Sequence, residues 1–355
     1  MIENEIEHNV NDSQNPKKKK VVKYLLNFTI FFVLIYLTFH ILLKDQNMEE
    51  LLNTVVSAKI HFILLGLLCM VIFYLCEAVN MRRTLQALGE KCNLLMTVKY
   101  TLIGAFFSAI TPAASGGQPM QIVYMHRDGI KVSSSTTALL LNLMSFQVVT
   151  ILMELISAAF LHDYMDAGVT ALFTVGIILN FSSLVLIIIG MTSKKVSTAL
   201  VNFAAKILKW FKIRNYEKKE NSMREALEKY NESAKYIRNN RTVLFRQFSV
   251  AIVQQVIYYS VPFCVLHALG LPEQNYILMV ALQSMVFGAV SGIPSPGSVG
   301  VSEGAFVSIF KPIFTEAYIN SAMVLHRGIS FYLPVSICAI VVLICTFTSK
   351  KQQKS

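Results

Sequence analysis

Charge is the scarcest commodity in this sequence. Only 15% of its 355 residues are charged, against roughly a quarter in a soluble domain, and that shortage excludes an ordinary water-soluble fold. The enzyme signatures are missing as well. There is no GxxxxGK(S/T) loop, no HExxH, no GxSxG and no Rossmann glycine fingerprint, so nucleotide hydrolysis, zinc proteolysis, serine hydrolysis and dinucleotide chemistry lose their usual carriers. The six cysteines (Cys69, Cys76, Cys92, Cys264, Cys338 and Cys345) form no CxxC pair and no Cys/His cluster. They are expected as small apolar filler, with no metal and no cofactor. His162, Asp163 and Asp166 lie close together, but in a turn where solvation explains them. No Ala-x-Ala-like site follows the first apolar run, and its lysine-rich leader is long, so it reads as a retained span rather than a signal peptide.

What the sequence has is apolar length. Hydrophobic residues make up 54% of the chain, and several runs reach the ~20 residues that cross a bilayer. The clearest are Tyr24–Leu43, Ile60–Val79, Ser133–Leu161, Gly168–Met191, Gln247–Leu269 and Ala322–Phe347. Lysine and arginine orient them: with both termini inside, 27 of the 32 basic residues fall on the cytoplasmic side. The expected organisation is a polar and basic cytoplasmic leader (1–23), a first membrane half (24–191), a basic linker (192–246), a second membrane half (247–347) and a basic tail (348–355). The linker contains STALVNFAAKILKWFKI, a basic amphipathic pattern that suits an anionic membrane surface. tRNA would also meet favourable charge there, but no nucleic-acid fold is recognisable and tRNA is not expected as a partner.

Two segments break the pattern. Leu94–Tyr124 begins and ends beside cytoplasmic loops, yet contains ITPAASGGQP. Tyr276–Phe314 begins and ends on the opposite side, and is interrupted by GIPSPGSVGVSEG. Each is read as two helical pieces joined by irregular backbone at membrane depth, which must be shielded by protein or line a water-filled cavity. Ser108, Ile110, Ser115 and Gly117 match Ser291, Ile293, Ser298 and Gly300 at an offset of 183, leaving Pro112 without an exact partner. Broken segments entering from opposite faces predict an inverted repeat with a central site. The expected fold is an all-α polytopic membrane protein with about six full spans and two re-entrant broken helices. The alternative is eight or more spans.

Candidate binding residues cluster at the breaks. Pro112, Pro119, Pro294 and Pro296 bound helical pieces, and Gly116 and Gly117 permit unusual dihedrals. Thr111, Ser115 and Gln118 can orient a headgroup but not activate one. The helix start after the first break offers N–H groups to an anion such as a phosphodiester. Ionisable groups inside a bilayer are costly and normally partnered. Glu303 is therefore expected to pair with Arg327 or to contact a cationic headgroup, and Glu154 to serve as a structural hydrogen-bonding group or a cation contact. Glu77, Arg82 and Arg83 are read as anchors at the cytoplasmic boundary.

ITPAASGGQPMQIVYMHRDGI resembles the TPxxxGGQPxQ motif of the lysylphosphatidylglycerol synthase transmembrane family, and PSPGSVGVSEGAF resembles that family's PxPGxxGxxEG motif. The matching positions are Thr111, Pro112, Gly116, Gly117, Gln118, Pro119, Pro294, Pro296, Gly297, Gly300, Glu303 and Gly304. The usual glycine pair of the second motif is here Gly297–Ser298. The resemblance covers about residues 20–350 and implies a flippase-like region for aminoacylated phosphatidylglycerol in a bacterial plasma membrane. In such members, lysylated lipid confers resistance to cationic antimicrobial peptides. Only eight residues follow Phe347, so the family's soluble transferase domain is expected to be missing. Three functions remain open: binding and flipping of an anionic or aminoacylated phospholipid or a lipid-linked substrate, lysyl transfer from lysyl-tRNA to phosphatidylglycerol, and a membrane scaffold for a separate aminoacyl transferase.

Overall fold

The computed structural model describes residues 48–161, 167–193, 216–291 and 295–352, with positions 195, 198, 199, 202, 206 and 293. The expected first span Tyr24–Leu43, the turn at residues 162–166, most of the amphipathic linker helix, and Pro294 lie outside the described residues. Among the described residues every regular element is helical. In chain order they are α1 (Met48–Ser57), α2 (Ile60–Ala87), α3 (Leu94–Ala109), α4 (Gly117–Arg127), α5 (Val132–Leu161) and α6 (Ala167–Thr192). Then come α7 (Tyr216–Asn239), α8 (Arg241–Tyr259), α9 (Val261–Ala268), α10 (Tyr276–Ser291), α11 (Val301–Arg327) and α12 (Leu333–Gln352).

Five stretches are long and apolar enough to cross a membrane: α2, α5, α6, α8 with α9, and the run from Pro296 to Thr346. They turn large aliphatic side chains outward, such as Leu64, Leu68 and Val71 on α2 and Ile178 and Leu186 on α6. Lipid accepts such a surface and water does not. By contrast α3 and α10 have 16 residues each, about 24 Å at 1.5 Å per residue, too short for a bilayer core of about 30 Å. Each stops at a break and is followed by a second helix packed against it. The α3–α4 hairpin is closed at its open end by Asp128, which takes an ion pair from Lys99 and a 2.5 Å hydrogen bond from the Tyr100 hydroxyl. The start of α3 and the end of α4 therefore lie together. In α11 the helix is interrupted at Thr315 (φ 58°, ψ 166°), three residues after Pro312, so its first part ends there and its second part heads into the final span.

The backbone makes the repeat sharper than the residue identities do. Thr111 and Ser295 are both extended (φ −119° and −104°, ψ 143° and 145°), and each precedes a proline that opens a single 3-10 turn, Pro112–Ala114 and Pro296–Ser298. The next residues, Ala113 and Gly297, are both left-handed (φ 50° and 60°), as are Ala114 and Ser298 (φ 53° and 50°). The offset is thus 184, not 183, and Pro112 does have a partner in Pro296. The pairings of Ser115 with Ser298 and of Gly117 with Gly300 are one residue out of step. The connections into the turns also differ in length: one residue separates the end of α3 from Thr111, whereas three separate the end of α10 from Ser295. The two 3-10 turns pack against each other, so the two breaks meet.

Buried amides join the halves. Gln247 on α8 donates to Asn142 Oδ1 (3.0 Å) and Ser145 Oγ (3.2 Å) on α5, accepts from Thr84 Oγ1 (3.4 Å) on α2, and offers its carbonyl to Asn80 Nδ2 (3.2 Å). One side chain and its own peptide thereby tie three spans at a depth where water cannot substitute.

Candidate functional site

Glu303 sits in the first turn of α11, fully buried, and its two carboxylate oxygens are used by three donors. Oε2 accepts the Gly300 N–H at 2.8 Å, which caps the helix start left open by the second break. Oε1 accepts Arg327 Nε and the Tyr332 hydroxyl, both at 2.8 Å. Arg327 also donates from Nη2 to the Gly297 carbonyl (3.2 Å) and lies 4.2 Å from the centroid of the Phe331 ring. Arg327 and Tyr332 can reach one oxygen because residues 328–332 form a π turn, in which side chains five apart share a face. The expected pair of Glu303 and Arg327 is therefore present, and it fixes the second break.

The first break is held by neutral groups. Thr111 Oγ1 donates to the Phe107 carbonyl (2.6 Å) and accepts the Gly116 N–H (2.9 Å). That N–H, one of those proposed for an anion, already has a partner. Pro112, Ser115 and Pro119 are exposed, and Gly117 is buried where α4 crosses α3. Gly104 leaves room for Gln121: a Cβ there would stand 2.4 Å from Gln121 Nε2.

Between the breaks is a cavity of ≈ 380 Å³. Ala114 and Gln118 of the first break and Gly297 of the second contribute to its wall, as do Ser330 and Phe331 of the π turn. Aromatic rings from α2, α5, α8 and α10 (Phe73, Phe146, Tyr258 and Phe287) line one side, with Tyr258 edge-on to Phe287 at 6.0 Å. The polar lining is made of Gln118, Gln121, Asn142 and Gln254 with one acidic side chain, Glu77. Gln121 Nε2 lies 3.5 Å from Glu77 Oε1. Ser330 Oγ, buried in this wall, makes no hydrogen bond. The chemistry on offer is one carboxyl group, several amides, an unused hydroxyl and aromatic faces. That set can bind and orient a polar or cationic group.

The profile of the lysylphosphatidylglycerol synthase TM region matches residues 24–338. The chain belongs to that family. A UPF0104 membrane protein of Archaeoglobus fulgidus is 21% identical over 303 residues, 82% of this chain and 89% of that relative. A UPF0104 membrane protein of Pyrococcus horikoshii is 24% identical over 322 residues, 85% of this chain and 92% of that relative. For this member of the lysylphosphatidylglycerol synthase TM region family, the resemblance seen at the two breaks thus extends over nearly the whole membrane part.

Within that family frame the candidate residues play different parts. Gln118 and Gly297 of the motifs face the cavity, while Thr111, Gly116, Gly300 and Glu303, with Arg327 from outside the motifs, shape the backbone around it. Pro296 is buried under the second break, and Gly304 has open space where a Cβ would stand. Glu154 is fully buried but does not line the cavity. Glu77, taken from sequence as a boundary anchor, instead lines the cavity wall. Its signal was available: it is an acidic residue inside the apolar run that begins at Ile60, four residues ahead of Met81 and the arginines. Gln121 closes the TPxxxGGQPxQ pattern of the first break but was not singled out as a binding residue, and Asn142 and Gln254 carried no motif signal, since an amide in a span reads equally well as helix-packing glue.

Proposed function

We propose that this protein binds a phospholipid headgroup in the cavity between the two breaks and carries it across the bilayer, with aminoacylated phosphatidylglycerol as the favoured cargo and both termini on the cytoplasmic side. The observation that carries the reading is Glu77, the one acidic group in the wall of a cavity built where two half-helices meet. A lysyl or other aminoacyl headgroup brings an ammonium, which a carboxylate and aromatic faces stabilise in a water-poor site. The acyl chains would remain among the outward aliphatic faces of α2 and α6. Broken helices that meet at mid-membrane are the construction by which transporters build a central site. The lining amides and hydroxyls suit recognition of a headgroup more than formation of a new ester.

The test is lipid exchange between leaflets in liposomes containing the purified protein. Fluorescent-tailed lysylphosphatidylglycerol, phosphatidylglycerol and phosphatidylethanolamine would be compared, with dithionite reporting the outer leaflet. Crossing is expected to be fastest for the lysyl lipid, and Glu77→Gln to slow it roughly 10–100-fold, the value of one charge-assisted contact of about 1.5–3 kcal/mol. Equal crossing of all three lipids, or a Glu77→Gln protein as fast as wild type, would sink the headgroup assignment. No crossing of any lipid would sink translocation.

A further inference from the structure

Beside the cavity, where α5, α6 and the end of α10 meet, lies a second polar cluster whose central carboxylate is not part of the cavity wall. Its centre is Glu154 on α5, 0% exposed. No cationic side chain pairs with it among the described residues. Its only hydrogen-bond donor among the described residues is the Asn180 amide of α6, 3.4 Å from each carboxylate oxygen. The same Nδ2 donates to Ser291 Oγ at 2.7 Å, and Ser291 is the last residue of the half-helix α10. Gln147, two turns before Glu154 on α5, holds the Asn180 carbonyl at 3.1 Å. The approach is enforced by two glycines. A Cβ at Gly176 of α6 would stand 1.9 Å from the Gly288 carbonyl oxygen, and a Cβ at Gly288 would stand 3.0 Å from Glu154 Cδ. These contacts bring the carboxylate up to the carbonyl end of a helix that stops inside the protein.

That end is electronegative: the last carbonyls of a helix carry partial negative charge. A carboxylate set beside it with one long amide contact on each oxygen is an uncompensated negative site in a medium where charge is costly. A packed structural carboxylate would have the partners that Glu303 has. Further acceptors lie close by on α8. The Tyr259 hydroxyl, fully buried and close to both Thr150 and Glu154, makes no hydrogen bond of normal geometry, and Gln255, which donates to Thr150 one turn before Glu154, has its Oε1 unsatisfied.

We propose that Glu154, Asn180 and Ser291, at the inner end of α10, form a binding site for a small monovalent cation, H⁺ or Na⁺, separate from the headgroup cavity. Both candidates satisfy the same chemistry, a positive charge held by a carboxylate and oxygen donors at a half-helix C-terminus. With its amide turned, Asn180 presents Oδ1 as a further ligand. The titratable and charged groups facing the site are few. Tyr259 is contributed by α8, while α6 and α10 present Asn180, Ser291 and, bonded to Ser157 one turn away, Ser284, all without a charge. On α2, Glu77 stands on the cavity wall instead. The charged helix α7 is tied by the Tyr230 hydroxyl to Gly190 (3.0 Å), at the opposite end of α5 from Glu154. A cation taken up here neutralises the end of one of the two half-helices that wall the cavity, which gives headgroup movement a physical link to an ion gradient.

The site stands apart from the lipid reading, and its main test requires no lipid movement. Wild-type protein in vesicles of phosphatidylethanolamine and phosphatidylglycerol would be treated with dicyclohexylcarbodiimide, a membrane-permeant reagent for protonated carboxyls, and labelling at each residue read by mass spectrometry. Glu154 labelling is expected to fall about tenfold or more between about pH 5 and pH 9, while Glu303, held by three donors, stays unlabelled. Protection by Na⁺ at constant pH, with choline as the control ion, assigns sodium; a pH response without Na⁺ protection assigns the proton. Labelling that neither pH nor Na⁺ changes, or a Glu154 that never reacts although the denatured chain does, overturns the proposal. Asn180→Leu, which removes the amide but keeps Glu154, is expected to abolish the Na⁺ protection or shift the pH profile. An unchanged profile in that variant also counts against the site.

Discussion

Glu303→Gln is expected to destabilise the protein by about 3–5 kcal/mol, the cost of leaving one member of a buried ion pair unpaired. Glutamine keeps the shape and one acceptor oxygen but puts an NH₂ where the other oxygen was. Whichever way the amide turns, that NH₂ points at a donor: the Gly300 N–H on one side, or Arg327 and the Tyr332 hydroxyl on the other. Arg327, with a side chain 6% exposed, loses its counter-charge and keeps at most a neutral amide oxygen, the Gly297 carbonyl and two aromatic faces. Tyr332→Phe removes a single neutral donor and is expected to cost about 1 kcal/mol. The double replacement Glu303→Gln with Arg327→Met removes the stranded charge and should regain most of the loss. A charge swap is a poorer test, because an arginine at 303 cannot accept from Gly300. Unfolding followed in mixed micelles against denaturing detergent checks the order. A Glu303→Gln protein as stable as wild type would remove the pair from its place as the fixing point of the second break.

How much of this was legible in the sequence follows from the range of each interaction. The short helices α3 and α10 were readable because proline and glycine act locally, and, at the first break, because a segment with one span's length on one side and far less on the other cannot cross twice. The pair of Glu303 and Arg327 was readable because the bilayer leaves a buried charge few alternatives. The register of the repeat was not. Residue matching found offset 183 because Ser298 and Gly300 happen to repeat Ser115 and Gly117, whereas the backbone conformation of Pro112 and Pro296 sets 184. Conformation at a turn is shared by residues as different as Ala113 and Gly297, so identity is a weak guide to it. The cavity was the least legible part. Its wall comes from α2, α3, α4, α5, α8, α10, α12, both 3-10 turns and the π turn, and nothing in the local sequence of Glu77 or Gln254 says that they face one space. The five-residue spacing that brings Arg327 and Tyr332 onto one oxygen also lies outside the 3.6-residue period by which helices are read.

The breaks are alike in backbone but not in what surrounds them, and that difference makes Gly297→Ala the second severe substitution. The left-handed conformation alone does not demand glycine at this turn, since Ala113 adopts φ 50° in the first break. What demands it at position 297 is Phe331: a Cβ there would stand 2.2 Å from the ring Cζ. The ring cannot simply swing away, because the Arg327 guanidinium lies 4.2 Å from its centroid and is itself held by Glu303. Overpacking of this kind costs about 1–3 kcal/mol, and here the displaced ring is also pushed toward the cavity that it lines. Gly297→Ala is therefore expected to lower stability by that amount and to slow lipid crossing, while Phe331→Ala alone opens the wall. In the double variant the added methyl has nothing to strike, so its cost should fall to that of Phe331→Ala alone, a favourable coupling of about 0.5–3 kcal/mol between the two positions. Strictly additive losses, measured by unfolding in micelles, would mean that strain at position 297 comes from the backbone and not from the ring, and would detach the second break from the Arg327 face.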